Sequence, residues 1–175
     1  NVRQSFQMPV LLVTHDLEEA FALADRMFLL DQGRVVQQGV PAEILDRPAS
    51  LAVARLLGIF NLLQAEVVTL DPGRNTSMLR MGEAEVHGPY LPGKFKGDRV
   101  WVCARPEELR AMPRNGRPGA NQLAVDLERA TPRPGGMRLQ FAGEIAADVT
   151  RADYDRARHN KEWVVEFPSA DLRVL

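Results

Sequence analysis

Hydrophobic residues follow different patterns before and after about residue 60. The apolar run VLLVT, which ends at residue 14, is continuous, and such a run indicates a strand that is buried on both faces. The next segment repeats apolar residues at the spacing of one helix face: Leu17, Ala20, Phe21 and Ala24. This order of a strand followed by a helix predicts an α/β arrangement for the first part of the chain.

Individual residues indicate where the next helices and strands begin and end. Asp16 is predicted to cap the first helix, with Glu19 reaching back to complete a capping box. The runs MFLL and RVVQQG read as two strands joined by the turn DQGR, where Gly33 can take a positive φ. Two further helices are predicted, PAEILDRP beginning at Pro41 and SLAVARLLG ending at Gly58.

After residue 60 the pattern is one of short strands separated by turns. Glycine, proline and asparagine interrupt the apolar runs at DPGRN, LPGKFKGD, PRNGRPGAN and TPRPGG. Strands of this kind predict an all-β barrel or sandwich. The predicted strands are LLQAEVVTL, TSMLRM, EAEVHG, RVWVCA, QLAVDLERA, MRLQFA, EIAADVT and EWVVEF, and RADYDRARHN is predicted as a solvated surface helix.

An internal repeat lies within this second part. The segment WVCARPEELR at Trp101 is echoed by WVVEFPSADLRV at Trp163, and LRMGEAEV at Leu79 is echoed by LQFAGEIAADV at Leu139. An offset of about 60 residues is too long for a solenoid repeat. Because two separate segments match at nearly the same offset, we favour two copies of a small β-barrel unit.

Composition narrows the class of protein. The chain has 175 residues, 45% of them hydrophobic and 26% charged, with a net charge of −1. This balance does not suggest nucleic acid or an anionic membrane as a partner. One cysteine, Cys103, excludes an intrachain disulfide and fits a small core residue. Trp101 and Trp163 are interpreted as core aromatics rather than as platforms for stacking bases, because no basic stripe accompanies them.

His15 is the candidate functional residue. It lies at the carboxyl end of the predicted strand VLLVT, directly before a helix, where open α/β sheets place ligands. An imidazole in that position can donate a hydrogen bond to a phosphate oxygen or orient a water molecule. The residues alone leave a purely structural role open.

A resemblance then adds to this interpretation. The stretch VTHDLEEAFALADRMFLLDQGRVVQQGVPAEIL resembles the C-terminal end of the nucleotide-binding domain of ABC transporter ATPases, and the likeness covers about residues 9 to 62. Thr14-His15-Asp16 matches the switch-histidine motif of that family. The resemblance implies that His15 contacts the γ-phosphate of ATP and helps to position the attacking water.

Other parts of such a site are absent from the sequence. It contains no G-x-x-x-x-G-K-[ST] phosphate loop, no Leu-Ser-Gly-Gly-Gln signature and no apolar strand that ends in Asp-Glu. The resemblance implies ATP and Mg²⁺ as cofactors of a full-length protein. For this chain alone we expect neither bound cofactor nor ATP hydrolysis, because phosphoryl transfer depends on those parts.

The second part resembles the regulatory domain of importer ATPases of the sulfate, molybdate, maltose and polyamine type. The segments GIFNLLQAEV and RVWVCARPEELR carry this likeness, over roughly residues 61 to 175. We therefore predict two domains: residues 1–60, the end of a nucleotide-binding domain, and residues 61–175, an OB-like, TOBE-type domain with two small barrel halves. The resemblance implies a second ATPase subunit and permease subunits as partners, and a place on the cytoplasmic face of the membrane.

Two other functions remain open. An independent oxyanion-binding module would explain only residues 61–175, and a nucleic-acid-binding OB protein lacks a basic surface. Lys94 and Lys96 are interpreted as a solvated loop rather than as an oxyanion site. Arg105 and Glu107 are interpreted as a structural pair in a turn. For an importer, the overall likeness favours an inorganic oxyanion such as sulfate or molybdate as the solute.

Overall fold

The computed structural model describes residues 9–169 and 172–175. They form two compact units, one up to Ala49, which we call the N-terminal unit, and one from Ser50, which we call the barrel unit. The domain boundary predicted at residue 60 stays a prediction.

The N-terminal unit is a hairpin with two short helices. Its elements are α1 (Leu17–Leu23), β1 (Met27–Asp31), β2 (Arg34–Gly39) and α2 (Pro41–Asp46). The two strands pair antiparallel across a turn in which Gln32 and Gly33 have φ of 47° and 76°. The predicted hairpin is therefore confirmed, and α2 begins at Pro41 as predicted.

The predicted strand VLLVT is wrong. Residues 10–14 lie outside regular secondary structure, and Val10, Leu11 and Val13 are each at least 80% exposed. A strand needs a neighbour for its N–H and C=O groups, but β1 and β2 pair only with each other among the described residues. The α/β arrangement predicted for this part is therefore not clearly formed. Leu12 and Phe28 are also exposed, whereas Leu29 is buried on the opposite face of β1.

The barrel unit begins with a helix and continues almost entirely in strands. Helix α3 (Leu51–Leu57) is capped by the Ser50 hydroxyl and ends at Gly58, which takes a left-handed conformation. The elements that follow are β3 (Asn61–Asp71), β4 (Thr76–Met81), β5 (Ala84–Pro89), β6 (Arg99–Ala104), a 3₁₀ helix (Pro106–Glu108), β7 (Arg110–Pro113), β8 (Gln122–Arg133), β9 (Gly136–Phe141), β10 (Ile145–Val149), α4 (Arg151–Ala157), β11 (Glu162–Glu166) and β12 (Arg173–Val174).

Every β-like run predicted after residue 60 contributes a strand, and RADYDRARHN contains helix α4. The short strands β7 and β12 were not predicted. They contain four and two residues, too few for an alternating pattern to be recognised.

The described strands of the barrel unit form two five-stranded sheets with matching orders. One is β12-β6-β3-β4-β5, and the other is β7-β11-β8-β9-β10. In each sheet four strands come from one sequence repeat and the edge strand comes from the other. The repeat predicted from the sequence is therefore visible as two similar sheets that exchange their last strands.

Each sheet is bent through its longest strand. The first half of β3 pairs with β6 and the second half pairs with β4, while β8 pairs with β11 and then β9 in the same way. The register shifts between Val67 and Thr69 and between Leu127 and Arg129, and such bulges bend a strand. The bends allow the two sheets to curl around one core.

That core is shared by both sheets. It includes the repeat-related Leu79 and Leu139, which are both fully buried, and Trp163, which packs on Phe141 with ring centroids 6.1 Å apart. The indole N–H of Trp163 donates to the Asn160 carbonyl, so this large side chain leaves no polar atom unpaired.

Two buried asparagines close the sheet edges. Asn61, the first residue of β3, donates to the carbonyl of Ala146 on edge strand β10 at 2.9 Å and accepts from its N–H at 2.7 Å. Asn121, just before β8, accepts from the N–H of His87 on edge strand β5 at 2.9 Å and donates to its carbonyl at 3.0 Å. A side-chain amide carries the same donor and acceptor as a peptide group, so each asparagine takes the place of a neighbouring strand.

We predict that Asn121→Ala lowers the free energy of unfolding by about 2 kcal/mol or more, because it leaves the partly buried N–H and C=O of His87 and the buried carbonyl of Phe167 without these partners. Urea unfolding of the purified protein measures the change. Asn160→Ala is the control: that side chain is exposed, and its loss should stay within about 0.5 kcal/mol. Equal effects of the two substitutions would contradict the role of Asn121.

Candidate functional site

His15 lies in a short segment whose backbone is held on both sides. The N–H of Asp16 donates to the hydroxyl of Thr14 at 3.0 Å. Oδ1 of Asp16 accepts from the N–H groups of Glu18 and Glu19 at 2.8 and 3.1 Å. The predicted N-cap at Asp16 is therefore confirmed, and it fixes where α1 begins.

The predicted capping box is not formed. Glu19 was expected to accept from the N–H of Asp16, but that N–H is already bonded to Thr14. The hydroxyl of Thr14, two residues earlier, therefore accepts the hydrogen bond that was predicted for the carboxylate of Glu19. The THD motif thus works locally as a unit, in which Thr14 and Asp16 position the backbone around the histidine.

The imidazole of His15 is exposed. Exposure leaves both ring nitrogens open to a ligand, and a neutral imidazole can donate from one nitrogen and accept on the other. The segment therefore presents an exposed imidazole directly before the capped start of α1.

The described residues do not by themselves form a nucleotide site. The sequence nearest to a phosphate loop is GPYLPGKF, in which Phe95 occupies the serine or threonine position. This stretch begins with the last two residues of β5 and continues in turns with no helix after it, whereas a phosphate loop needs a helix N-terminus. The described part of the chain also contains no group of three or more His, Cys, Asp or Glu that could hold a metal ion.

The Arg-Pro-Glu segment of the barrel unit is organised around Glu108. Arg105 donates to this carboxylate from its backbone N–H and from its guanidinium, at 2.7 to 2.9 Å. Arg173, on β12, binds the same carboxylate through two nitrogens at 2.7 and 2.9 Å. Glu107, predicted to be the partner of Arg105, lies 3.5 Å from it and is the weaker contact.

This ion cluster joins the two places where the chain crosses between sheets. Arg105–Glu108 leads from β6 to β7, which belongs to the other sheet, and Arg173 lies on the strand that returns to β6. Burial alone would raise the pKa of Glu108, but the hydrogen bonds from Arg173 and Arg105 lower it to about 2. The carboxylate is therefore charged at neutral pH and pairs with both arginines.

A second ion pair lies on the neighbouring hairpin. Arg138 on β9 and Asp148 on β10 face each other and form a bidentate contact. The hydrogen bonds that Arg138 donates to Asp148 raise the pKa of Arg138 above its ordinary value, although burial opposes this, and the charge of Glu107 adds to the rise. Glu107 thus contributes charge to this second pair as well as to Arg105.

The sequence also singled out Cys103, Trp101 and two lysines, and none of them lies beside His15 in the sequence. Burial raises the pKa of Cys103 to about 11, so its thiol is protonated and unreactive at neutral pH. Trp101 is partly buried beneath the guanidinium of Arg55, 5.3 Å from the ring centroid. Lys94 and Lys96 are exposed on the loop after β5, and they flank Phe95, which is 73% exposed.

Sequence reasoning missed three residues: Asn61, Asn121 and Arg173. The two asparagines lie 60 residues apart, which is the offset of the repeat, so aligning the two copies would have shown them. Arg173 ends the second copy just as Arg110 ends the first. Nothing in the sequence shows that Arg173 pairs with Glu108 of the other copy, because the strand exchange brings them together.

Known proteins were compared with this chain. No family model matches it. The spermidine/putrescine import ATP-binding protein PotA of Oleidesulfovibrio alaskensis is 39% identical over 112 residues, which are 63% of this chain and 29% of that protein. The sulfate/thiosulfate import ATP-binding protein CysA of Burkholderia mallei is 31% identical over 156 residues, 89% of this chain and 41% of that protein.

The chain spans less than half the length of these relatives. A solved structure of the cytoplasmic molybdate-binding protein ModG matches with a TM-score of 0.55 and 11% sequence identity, covering 65% of this chain and 94% of that one. At this identity the likeness shows the fold alone: a mostly β unit of curled half-barrel sheets. In the described part of the chain, no helix has both the length and the apolar composition to cross a membrane.

We predict that Glu108→Gln reduces the loss of folding stability that the protein shows at acidic pH. Because the folded pKa of about 2 lies below the ordinary 4.5, the stabilisation is complete above about pH 4.5 and is lost as the pH falls toward 2. A shift of this size corresponds to about 3 kcal/mol. Urea unfolding at several pH values should show a smaller loss for the variant in this window, and lower stability at neutral pH.

Glu107→Gln is the matched control for this experiment. That side chain is 53% exposed, and its contact with Arg105 should contribute less than about 1 kcal/mol. If the wild-type protein and Glu108→Gln lose the same stability as the pH falls, the ion cluster is not the cause of that loss.

Proposed function

Since this chain is homologous to the C-terminal parts of ABC importer ATP-binding subunits, we propose that it is the C-terminal and regulatory part of such a subunit. In this proposal residues 1–60 end the nucleotide-binding domain, and residues 61–175 form its regulatory domain. Such a subunit couples ATP hydrolysis to solute uptake from the cytoplasmic face of the membrane, where it contacts permease subunits.

The observation that carries this proposal is the extent of the homology. The match to the Burkholderia mallei protein covers 156 residues, which is longer than either compact unit of this chain. It therefore includes parts of both. An independent oxyanion-binding module would explain only the barrel unit and would leave the THD segment without a role, so the importer subunit accounts for more of the molecule.

The solute is a finer question within the same proposal. The overall likeness favours an inorganic oxyanion such as sulfate or molybdate, and the relatives add spermidine and putrescine. We propose that the solute is small and charged, and that sulfate and molybdate are the first candidates to test.

His15 is proposed to act on the γ-phosphate of ATP. ATP and Mg²⁺, when bound to the complete subunit, supply the phosphoryl group and its charge neutralisation. Thr14 and Asp16 hold the backbone at this position, and the exposed imidazole donates to a phosphate oxygen or orients the attacking water. The described residues of this chain contribute that donor and the fixed helix start behind it.

We predict that His15→Ala in the complete subunit slows ATP hydrolysis about a hundredfold, the usual effect of losing one preorganised donor to developing charge. ATP binding should persist, because one donor supplies little of the ground-state affinity. Asp16→Ala is the control: it removes the helix cap and should cost about 1 kcal/mol of stability with a smaller effect on turnover. Measuring nucleotide affinity and turnover for both variants separates the two roles, and near-normal turnover of His15→Ala would contradict the proposal.

The proposed partners include a second copy of the subunit. Exposed apolar side chains drive association, and those of the N-terminal unit include Val10, Leu11, Leu12, Val13 and Phe28.

We predict that light scattering of the purified chain shows a dimer or a larger assembly. A monodisperse monomer whose N-terminal unit resists proteolysis would contradict this prediction.

A further inference from the structure

The loop between β7 and β8 contains the only Asn-Gly pair in the sequence, Asn115–Gly116. Both residues are exposed. Gly116 has a φ of 87°, and a Cβ built on it would meet no atom within 4 Å. Because glycine has no Cβ, no side chain beside the backbone nitrogen of Gly116 crowds its approach to the side chain of Asn115.

We propose that Asn115 is a site of spontaneous deamidation in the folded protein. The backbone N–H of Gly116 loses its proton to hydroxide, and the nitrogen then bonds to Cγ of Asn115. The Cγ–Nδ2 bond breaks, and ammonia leaves after taking up a proton from water. This gives a five-membered cyclic imide. Water adds to one of its two carbonyls, and the ring opens to aspartate or to isoaspartate, so the sequence consumes one water and releases one ammonia without oxidation or reduction.

The local charges favour the first step. Arg114 and Arg117 flank the pair, and Nε of Arg114 donates to the carbonyl of Gly116 at 3.1 Å. Positive charge this close stabilises the deprotonated amide nitrogen relative to its neutral form. Within the described residues the N–H of Gly116 donates no hydrogen bond, so its deprotonation breaks none.

The other asparagines of the described chain are protected in different ways. Asn61 and Asn121 are buried, and their side-chain amides are fully engaged with edge strands. Asn75 and Asn160 are exposed, but threonine and lysine follow them, and these carry a Cβ beside the attacking nitrogen. Asn115 alone among them combines exposure with a following glycine.

The modification would alter the loop that leads to Asn121. It adds a negative charge next to Arg114, which also lies 4.0 Å from the carboxylate of Glu162 on β11. The new carboxylate competes with Glu162 for that arginine, and isoaspartate lengthens the main chain by one carbon. Deamidation thus affects a segment that ends at one of the two asparagines closing the sheet edges.

The test is to incubate the purified protein at about pH 6, 7 and 8 and to follow each asparagine by peptide mapping and mass spectrometry. We expect aspartate and isoaspartate to accumulate at Asn115 while Asn75 and Asn160 stay intact. The rate should rise with pH, approaching about tenfold per unit, as the deprotonated fraction of a weak acid does well below its pKa. Earlier conversion of Asn75 or Asn160, or a rate independent of pH, would overturn the proposal.

Two variants complete the design. Gly116→Ala places a Cβ beside the nucleophile and should slow conversion several-fold, with circular dichroism to confirm the native fold, because alanine is strained at a positive φ. Asn115→Gln keeps the amide but must close a larger ring, so it should remain unmodified over the same period, and it supports the test if Gly116→Ala fails to fold. Unchanged rates in a folded Gly116→Ala, or equally fast conversion of Asn115→Gln, would contradict the mechanism.

Discussion

Each of the two curled sheets has an edge strand whose backbone polar groups need partners, and one asparagine side chain supplies two of these partners at each edge. An edge strand presents N–H and C=O groups that are costly to bury unpaired. Asn61 supplies both partners to Ala146 on β10, and Asn121 supplies both to His87 on β5, each from the start of, or just before, the long strand of the other sheet. The closure is reciprocal, so each half of the unit completes an edge of the other half.

The exchange of strands and the ion cluster follow from the same arrangement. Because β7 joins the second sheet and β12 joins the first, neither half has all its strands without the other. Glu108 holds the two crossing segments together by binding Arg105 and Arg173 at once. A charged carboxylate with two arginines remains favourable in a partly buried place because its oxygens accept several directed hydrogen bonds. The two halves therefore form one compact unit.

Sequence reasoning predicted the elements better than their partners. The strands after residue 60, the hairpin at Gly33 and the caps at Asp16 and Gly58 were predictable because they depend on residues close in the chain. The strand VLLVT was wrong because a continuous apolar run shows hydrophobicity but not whether a neighbouring strand lies beside it. Glu108, rather than Glu107, is the main partner of Arg105, and Arg173 was missed altogether, because strand exchange is a property of the topology and leaves no local pattern. His15 lies directly before a helix, as predicted, but not at the end of a strand, and its role in hydrolysis stays a proposal.

Solute uptake into proteoliposomes that contain the proposed importer subunit together with permease subunits tests the proposed function. Four labelled solutes would be offered separately: sulfate, molybdate, spermidine and putrescine. Each would be measured in the presence and in the absence of ATP. We expect uptake of one class of solute, and we expect it to require ATP on the side of the membrane that carries the ATP-binding subunit. Tight binding of an oxyanion by the isolated protein, with no ATP-dependent uptake of any of the four solutes, would contradict it and favour an independent binding module.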